Sequence, residues 1–258
     1  MRIYHAHGYV CKSDRAVMTN LLITGASRGI GFELAQQALT MGWRVFGSVR
    51  SREEAFRVQG ELGLSESGRD LRMAEEGLPG FTPLVFDVTD HAAVRAAAEG
   101  LDVSIDILIN NAGIIGRKPQ STLEMDFDGF AETLAVNTLA PLAVVQAFLP
   151  HLKRSRSPRI VTISSRMGSM SHQASDRIAY RASKAAVNKI SQGLATDLRA
   201  EGIAVIAMHP GWVQTDMGGA GADISPEESA AGILAVADNL SLAQTGSFIN
   251  YDGSLLPW

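Results

Sequence analysis

The sequence predicts a doubly wound α/β domain built on a parallel sheet of seven strands, with helices on both faces. Short apolar runs alternate with longer helix-like segments from Leu21 to the C-terminus. The runs lack polar alternation, which indicates strands buried on both faces, as in a parallel sheet covered by crossover helices. No repeat or linker divides the chain, so we expect a single domain over residues 19–258.

The elements follow from the alternation of these patterns along the chain. The predicted strands are residues 21–24, 44–49, 83–88, 106–110, 159–164, 204–210 and 247–251, and the predicted helices are 29–41, 52–60, 90–99, 123–153, 176–200 and 226–240. Residues 59–80 combine Gly, Ser and mixed charge, which predicts a surface excursion. Residues 1–18 contain charged side chains and no continuous apolar run, so we expect an extension outside the fold rather than a signal peptide.

Composition and charge exclude several classes of partner. The 258 residues carry a formal charge of −4 and a pI near 5.9, which argues against a nucleic-acid surface. The basic cluster at 153–159 is interpreted as a solvated helix end and turn. The apolar stretch 134–152 is interrupted by Asn137, Pro141 and Gln146, which is more typical of a buried helix than of a membrane span.

Cysteine and histidine usage indicates neither a disulfide nor a metal site. Cys11 is the only cysteine, and the six histidines show no metal-binding spacing. We therefore expect no bound metal and, by default, a reducing compartment, the cytoplasm. His172 and His209 are the histidines that we consider as ligand contacts, with a surface or packing role as the alternative.

A glycine-rich turn follows the first predicted strand. ITGASRGIG places Gly25, Gly29 and Gly31 where the strand turns into a helix. Residues without side chains let a pyrophosphate approach the backbone, and the helix N-terminus offers N–H groups and a favourable dipole. The spacing is GxxxGxG rather than GxGxxG, and a simple strand-to-helix turn is the alternative.

Three arginines bear on the choice between NAD and NADP. The second strand ends in VRSR, which places Arg50 and Arg52 where an acidic residue usually accepts the adenosine ribose of NAD, and Arg28 lies in the glycine turn. Charge complementarity to a 2′-phosphate favours NADP(H) over NAD(H). Solvated arginines are the alternative.

Tyr180 and Lys184 are four residues apart in a helix-compatible segment, so their side chains share one helical face. The spacing alone leaves open whether they form a solvated pair or a proton-transfer site. Their context favours the second interpretation, because six further motifs occur in the same chain. These are TGASRGIG (24–31), DV (87–88), NNAG (110–113), Asn137, ISS (163–165) and HPGWVQTDM (209–217).

Together these motifs, in this order, resemble the short-chain dehydrogenase/reductases, and YRASKAAVN with the ending GSFINYDGSLLPW resembles the branch of C-factor and sniffer-type carbonyl reductases. The resemblance implies a Rossmann fold and hydride transfer between NADP(H) and a carbonyl or alcohol. It assigns Ser165 to polarise the carbonyl oxygen and Tyr180 to act as general acid and base. Lys184 is expected to lower the phenol pKa, aided by the positive charge of the oxidised nicotinamide.

The resemblance also implies that Asn137 kinks its helix and holds a water linking Lys184 to solvent. An exposed helical residue is the alternative for Asn137, and Ser164 and Ser169 compete with Ser165. The full set of implied cofactor contacts comprises Gly25, Ser27, Arg28, Gly29, Ile30, Gly31, Arg50, Asp87, Val88, Asn111, Ala112, Gly113, Tyr180, Lys184, Pro210, Gly211, Val213 and Thr215. Asn111 to Gly113 are in part expected to stabilise the sheet.

The substrate side is expected in two loops, residues 165–178 and the short Gly/Ala-rich loop 216–225. Together they indicate an open site for small or extended apolar carbonyls. Met167, Met170 and Trp212 are candidate contacts or simply packing residues, and Trp258 is expected near the site or in a subunit contact. The family resemblance implies a homodimer or homotetramer, whereas a dinucleotide-binding regulatory protein without turnover is the alternative function.

Overall fold

The computed structural model describes residues 18–64 and 79–258. The predicted extension and most of the predicted excursion at 59–80 lie outside these residues. The strands are β1 (Asn20–Ile23), β2 (Arg44–Val49), β3 (Gly80–Val85), β4 (Ile107–Asn110), β5 (Arg159–Ile163), β6 (Ala204–His209) and β7 (Phe248–Asn250). The helices are α1 (Gly29–Thr40), α2 (Arg52–Glu61), α3 (His91–Glu99), α4 (Phe127–Leu134), α5 (Ala140–Leu152), α6 (Ile178–Asp197) and α7 (Pro226–Asn239).

All seven strands form one parallel sheet, in the order β3-β2-β1-β4-β5-β6-β7. This confirms the predicted fold class. Winding changes direction between β1 and β4, and the carboxyl ends of these neighbouring strands leave a crevice between the loops that follow them. The functional residues predicted from the glycine turn and from the loop after β4 converge at this point.

Two apolar layers cover the two faces of the sheet. Leu21 and Ile23 of β1 face a core shared with α1, α2 and α7, whereas Leu22 faces a second core shared with α3, α5 and α6. These three side chains are fully buried. Burial of each contributes about 1.5–3 kcal/mol, so both faces of the strand stabilise the fold and the absence of polar alternation is explained.

Two predicted boundaries are wrong. The third strand runs from Gly80 to Val85, because its pairing with β2 begins opposite Arg44, so Asp87 lies beyond the strand instead of ending it. Pro83 lies inside this strand without disrupting the sheet, since β3 is an edge strand. The predicted helix 123–153 begins only at Phe127, where the Asp126 carboxylate accepts the N–H of Gly129.

The same long helix is interrupted by a π-helical turn, Ala135–Leu139, that separates α4 from α5. The continuous helical stretch Phe127–Leu152 has the length and hydropathy of a membrane span, a property that buried core helices share. Here it packs against the sheet, with Val144, Phe148 and Leu152 in the second core. The π turn carries Asn137 and is where the helix departs from regular geometry.

Candidate active site

A cavity of about 580 Å³ opens at the carboxyl ends of the strands, at the change of winding direction. Most of the residues implied as cofactor contacts line it. These are Gly25, Ser27, Arg28, Gly29, Ile30, Gly31, Arg50, Asp87, Val88, Asn111, Ala112, Gly113, Tyr180, Lys184, Pro210 and Thr215. Gly211 and Val213 do not line it.

Gly211 and Val213 shape the loop after β6 instead. Gly211 has a φ of +89°, and a Cβ there would lie 2.4 Å from the Ile224 side chain. Val213 is buried and forms a bridge with Ile224, and its carbonyl accepts the N–H of Thr215 at 2.8 Å. The two residues therefore position Thr215, which does face the cavity, and their direct contact with the cofactor stays a prediction.

The glycine turn fits a dinucleotide. Gly25 has a φ of +70°, and a Cβ on Gly31 would lie 2.0 Å from the carbonyl oxygen of Gly25. No side chain caps the N-terminus of α1, since Arg28 at the N-cap makes no such bond. First-turn N–H groups therefore face the cavity without a side-chain partner, the arrangement that binds phosphate at a helix N-terminus.

Asn111 holds the turn against the sheet. Its side-chain amide donates to the carbonyl of Thr24 at 3.0 Å and to that of Gly25 at 3.1 Å. The Thr24 hydroxyl in turn accepts the N–H groups of Asn111 and Ala112 at 3.0 and 3.1 Å. These bonds agree with the expectation that the NNAG motif in part stabilises the sheet. They also show that Thr24 helps to hold the turn, a role that the sequence analysis did not assign.

The two arginines that line the cavity are paired with carboxylates. Arg50 donates through Nη2 to Glu54 Oε1 at 3.1 Å and through its main-chain N–H to Glu54 Oε2 at 2.9 Å. Arg28 Nη1 lies 2.7 Å from Asp216 Oδ2, joining the glycine turn to the loop 216–225. Both partners of this second pair are largely exposed, so it contributes little stability. Arg52 does not line the cavity.

Glu54 also lines the cavity, and sequence reasoning missed it. The available signal was the spacing SxxE at the start of α2, a capping-box pattern. Ser51 does cap the helix by accepting the N–H of Glu54 at 3.2 Å. The Glu54 carboxylate, however, turns to Arg50 rather than to the N–H of Ser51.

Asp87 lies after β3 and is held by Thr89. Asp87 Oδ1 accepts two hydrogen bonds from Thr89, one from its main-chain N–H at 2.8 Å and one from its hydroxyl at 2.6 Å. The hydroxyl is the main cause that lowers the Asp87 pKa, with a further contribution from the charge of Arg50. The carboxylate is thus ionised and oriented at the cavity wall beside Val88.

Tyr180 and Lys184 meet at the inner end of the cavity, both buried. The Lys184 ammonium lies 5.8 Å from the centre of the Tyr180 ring and donates to the carbonyl of Ile163 at 2.8 Å. Burial lowers the pKa of Lys184 to about 8. The pair is therefore not a solvated one.

Burial has the largest effect on the pKa of the Tyr180 phenol, and the lowering expected from Lys184 with the oxidised nicotinamide stays a prediction. Burial raises the pKa, and a hydrogen bond with Ser165 and the charge of Arg177 oppose this only in part. The Lys184 ammonium is directed at the main-chain carbonyl of Ile163, and burial disfavours its own charge. In this structure the phenol is held protonated.

The structure distinguishes among the three neighbouring serines. The Ser165 hydroxyl accepts the N–H of Met167 at 3.1 Å and also interacts with the Tyr180 phenol, whose pKa it lowers. Ser164 Oγ instead donates to Asn188 at 2.5 Å, and Ser169 Oγ donates to the main-chain oxygen of Trp258 at 3.1 Å. Of the three serines, Ser165 is the one that interacts with the phenol, whereas Ser164 lines the cavity.

Asn137 is buried, which contradicts the alternative of an exposed helical residue. Its side-chain amide accepts the N–H of Ile114 at 2.9 Å and donates to the Ile114 carbonyl at 2.8 Å. It also donates to Ser183 Oγ at 3.0 Å. The π turn therefore connects the loop after β4 to the helix that carries Tyr180 and Lys184.

Space between Asn137 and Lys184 is kept by Gly113. A Cβ at Gly113 would lie 3.3 Å from Asn137 Oδ1 and 3.6 Å from Lys184 Nζ. A side chain at this position would enter the gap between the two polar groups. This geometry is compatible with the small bridging molecule that the resemblance implies between them.

The candidate substrate contacts are mostly exposed. Met170 is 82% exposed and Trp212 52%, and the Trp212 indole donates to the carbonyl of Gly218 in the loop 216–225. Trp258 stacks on Phe248 of the same chain, with 5.5 Å between the ring centres. Its main-chain oxygen accepts the hydroxyl of Ser169, so Trp258 lies beside the loop 165–178.

The two candidate histidines differ sharply. His172 is exposed, whereas His209 is buried and its Nδ1 has no hydrogen-bond partner among the described residues. Burial, with a smaller effect of the charge of Arg166, lowers the His209 pKa to about 4. His209 is therefore neutral at physiological pH. Neither histidine lines the cavity.

Comparison with known proteins agrees with this geometry. The family model described as short chain dehydrogenase matches residues 19–223. C-signal of Myxococcus xanthus is 41% identical over 155 residues, which cover 60% of this chain and 93% of that protein. The NADPH-bound carbonyl reductase from chicken fatty liver is 32% identical, with a TM-score of 0.79 over 93% of this chain and 99% of that one.

A second solved structure, carbonyl reductase Sniffer of D. melanogaster, is 29% identical and has a TM-score of 0.79, covering 93% of this chain and 100% of that one. The matched region contains the glycine turn, the serine, and the tyrosine–lysine pair. The chain belongs to the short-chain dehydrogenase family.

Proposed function

We propose that the protein is an NADP(H)-dependent carbonyl reductase or alcohol dehydrogenase in which Tyr180 is the general acid and base. The observation that carries the proposal is the buried Tyr180 phenol, beside Lys184 at the inner end of a cavity that begins with a glycine phosphate turn. When bound, the nicotinamide cofactor supplies or accepts the hydride.

In the reducing direction, the chain has to polarise a carbonyl oxygen and protonate the oxygen that develops negative charge. Ser165 and Tyr180 can donate to that oxygen together. The raised pKa of Tyr180 favours the protonated phenol, the form that a general acid needs. Oxidation of an alcohol requires the opposite form, and additional positive charge must then outweigh the effect of burial.

Lys184 can exchange a proton near the phenol. Its pKa of about 8 lies close to physiological pH, so the ammonium can lose and regain a proton at small cost. Asn137 and the gap at Gly113 support a relay through a bridging water, as the resemblance implies. The bonds of Asn137 to Ile114 keep the walls of that gap in place.

Replacement of the phenol tests the assignment. Tyr180→Phe should retain NADPH binding and lose at least about 10³-fold in turnover across a panel of aldehydes, ketones and quinones, followed by NADPH absorbance. Tyr251→Phe is the matched control, because its hydroxyl bonds Glu228 near the surface. Undiminished turnover in Tyr180→Phe would show that another group moves the proton.

For the cofactor, the preference for NADP(H) is supported by Arg28 and Arg50 at the cavity and by the NADPH found in the similar chicken enzyme. Arg50→Ala should weaken NADPH binding and leave NADH binding nearly unchanged. An unaltered ratio of the two dissociation constants would show that Arg50 does not determine the preference for NADPH.

A dinucleotide-binding regulatory role without turnover is the second candidate, favoured by the 41% identity with C-signal. It predicts tight cofactor binding, no turnover on any carbonyl, and a phenotype that persists in Tyr180→Phe. The enzyme is preferred because a pure binding module needs the glycine turn but not the set of Asn137, Ser165, Tyr180 and Lys184.

The remaining properties are proposals of the same kind. We propose a small carbonyl or alcohol as substrate and a cytoplasmic location, with no nucleic-acid, membrane or metal partner. A homodimer or homotetramer is supported by Leu123, Phe127 and Leu139, which expose 98, 77 and 51% of their surface near and along α4. Light scattering after size exclusion would measure the assembly.

A further inference from the structure

Glu54 lines the cavity near the end of β2, the region in which this type of fold binds the adenosine ribose. It lies on the first turn of α2, directly after the end of β2, and it lines the same cavity as Arg50 and Asp87. Its two carboxylate oxygens bind two different groups of one residue, the main-chain N–H and the guanidinium of Arg50. The side chain is only 23% exposed, whereas that of Arg50 is 67% exposed.

Helix capping does not account for this arrangement. In a capping box the acidic residue accepts the N–H of the N-cap residue, here Ser51. Glu54 reaches one residue further and closes a bidentate contact on Arg50. The N-cap is provided independently by the Ser51 hydroxyl, so the carboxylate is not needed to start α2.

The contact resembles the way in which a phosphate is bound. A main-chain N–H and a guanidinium are the donors that a ribose 2′-phosphate would use at the end of β2, and both already hold an anion that belongs to the chain. The phosphate must compete with that carboxylate for Arg50 and is repelled by its charge. An unphosphorylated ribose has neutral hydroxyl groups, to which a carboxylate can serve as acceptor.

We propose that Glu54 is a specificity-determining residue that lowers the discrimination between NADP(H) and NAD(H) by pairing with Arg50. The inference rests on the proposed function, since it concerns the dinucleotide that the family binds. It makes the chain more tolerant of NAD(H) than Arg28 and Arg50 alone would predict.

Glu54→Gln is the direct test, because glutamine keeps the size of the side chain and one acceptor oxygen for Arg50, and it removes the negative charge together with the second acceptor. Dissociation constants for NADPH and NADH, measured by titration calorimetry, should give about tenfold tighter NADPH binding and an unchanged or slightly weaker NADH binding. About tenfold is the effect of removing one charge a few ångströms from a phosphate at a partly solvated site.

Glu53→Gln is the matched control. Glu53 lies on the same turn of α2 and changes the net charge equally, but it does not line the cavity and has no contact with Arg50. It should alter the NADPH/NADH ratio by no more than about twofold. Thermal unfolding of both variants checks that α2 is intact.

The inference is overturned if Glu54→Gln leaves the ratio of dissociation constants unchanged, shifts it towards NADH, or shifts it no more than Glu53→Gln does. The proposed NADP preference is judged separately, on the ratio in the unmodified protein and its response to Arg50→Ala. A protein that prefers NADH, but shifts towards NADPH in Glu54→Gln, would contradict that preference and support the role of Glu54.

Discussion

Asn137→Ala tests whether the π turn is held by the buried amide. The substitution removes three hydrogen bonds, two with the main chain of Ile114 and one with Ser183. Each contributes about 1 kcal/mol net, and the Ile114 groups are only half-buried, so water can replace part of the loss. Alanine recovers about 0.5 kcal/mol of helix propensity. The expected decrease in the free energy of unfolding is about 2 kcal/mol.

Urea unfolding followed by circular dichroism at one protein concentration measures this loss. Asn239→Ala is the control, because its amide is exposed and bonds only the Ala235 carbonyl in its own helix. It should lose less than about 0.5 kcal/mol. Asn137→Asp keeps the acceptor for the Ile114 N–H but loses both donors, so it should cost at least as much as alanine. A loss below about 1 kcal/mol in Asn137→Ala would refute this account.

Two further substitutions test the close backbone approach and the buried imidazole. Gly31→Ala puts a Cβ 2.0 Å from the Gly25 carbonyl oxygen, so it should destabilise the protein by about 1–3 kcal/mol or more and weaken NADPH binding. Gly60→Ala is the control, because a Cβ there meets open space, and it should be neutral or stabilising by up to about 1 kcal/mol. Because burial lowers the His209 pKa to about 4, the unfolded chain takes up its proton first below about pH 6.5, so the free energy of unfolding should fall by up to roughly 3 kcal/mol towards pH 4. His209→Gln should remove this decrease and His172→Gln, at an exposed position, should keep it; equal pH profiles for the two variants would count against a buried neutral His209.

The fold class is predictable from the sequence because its causes are local. A strand that lacks polar alternation is buried on both faces, and the alternation of such strands with amphipathic segments specifies a parallel sheet. The order of the strands and the ends of β3 are different, since they depend on pairing with β2 across the sheet. The periodicity of a segment can be read from its own residues, but the residue at which a strand starts depends on where the neighbouring strand pairs with it.

The same division holds in the site. The spacing of Tyr180 and Lys184 along one helix, and the glycines that must avoid a clash within a few residues, are fixed by chain geometry alone. The resemblance had already assigned Ser165, but only the tertiary structure brings that serine to the phenol, buries Tyr180 so that its pKa rises, and joins Asn137 to Ile114. These properties depend on atoms brought together from 15 to 23 positions apart in sequence, and on the water that packing excludes, which no local pattern records.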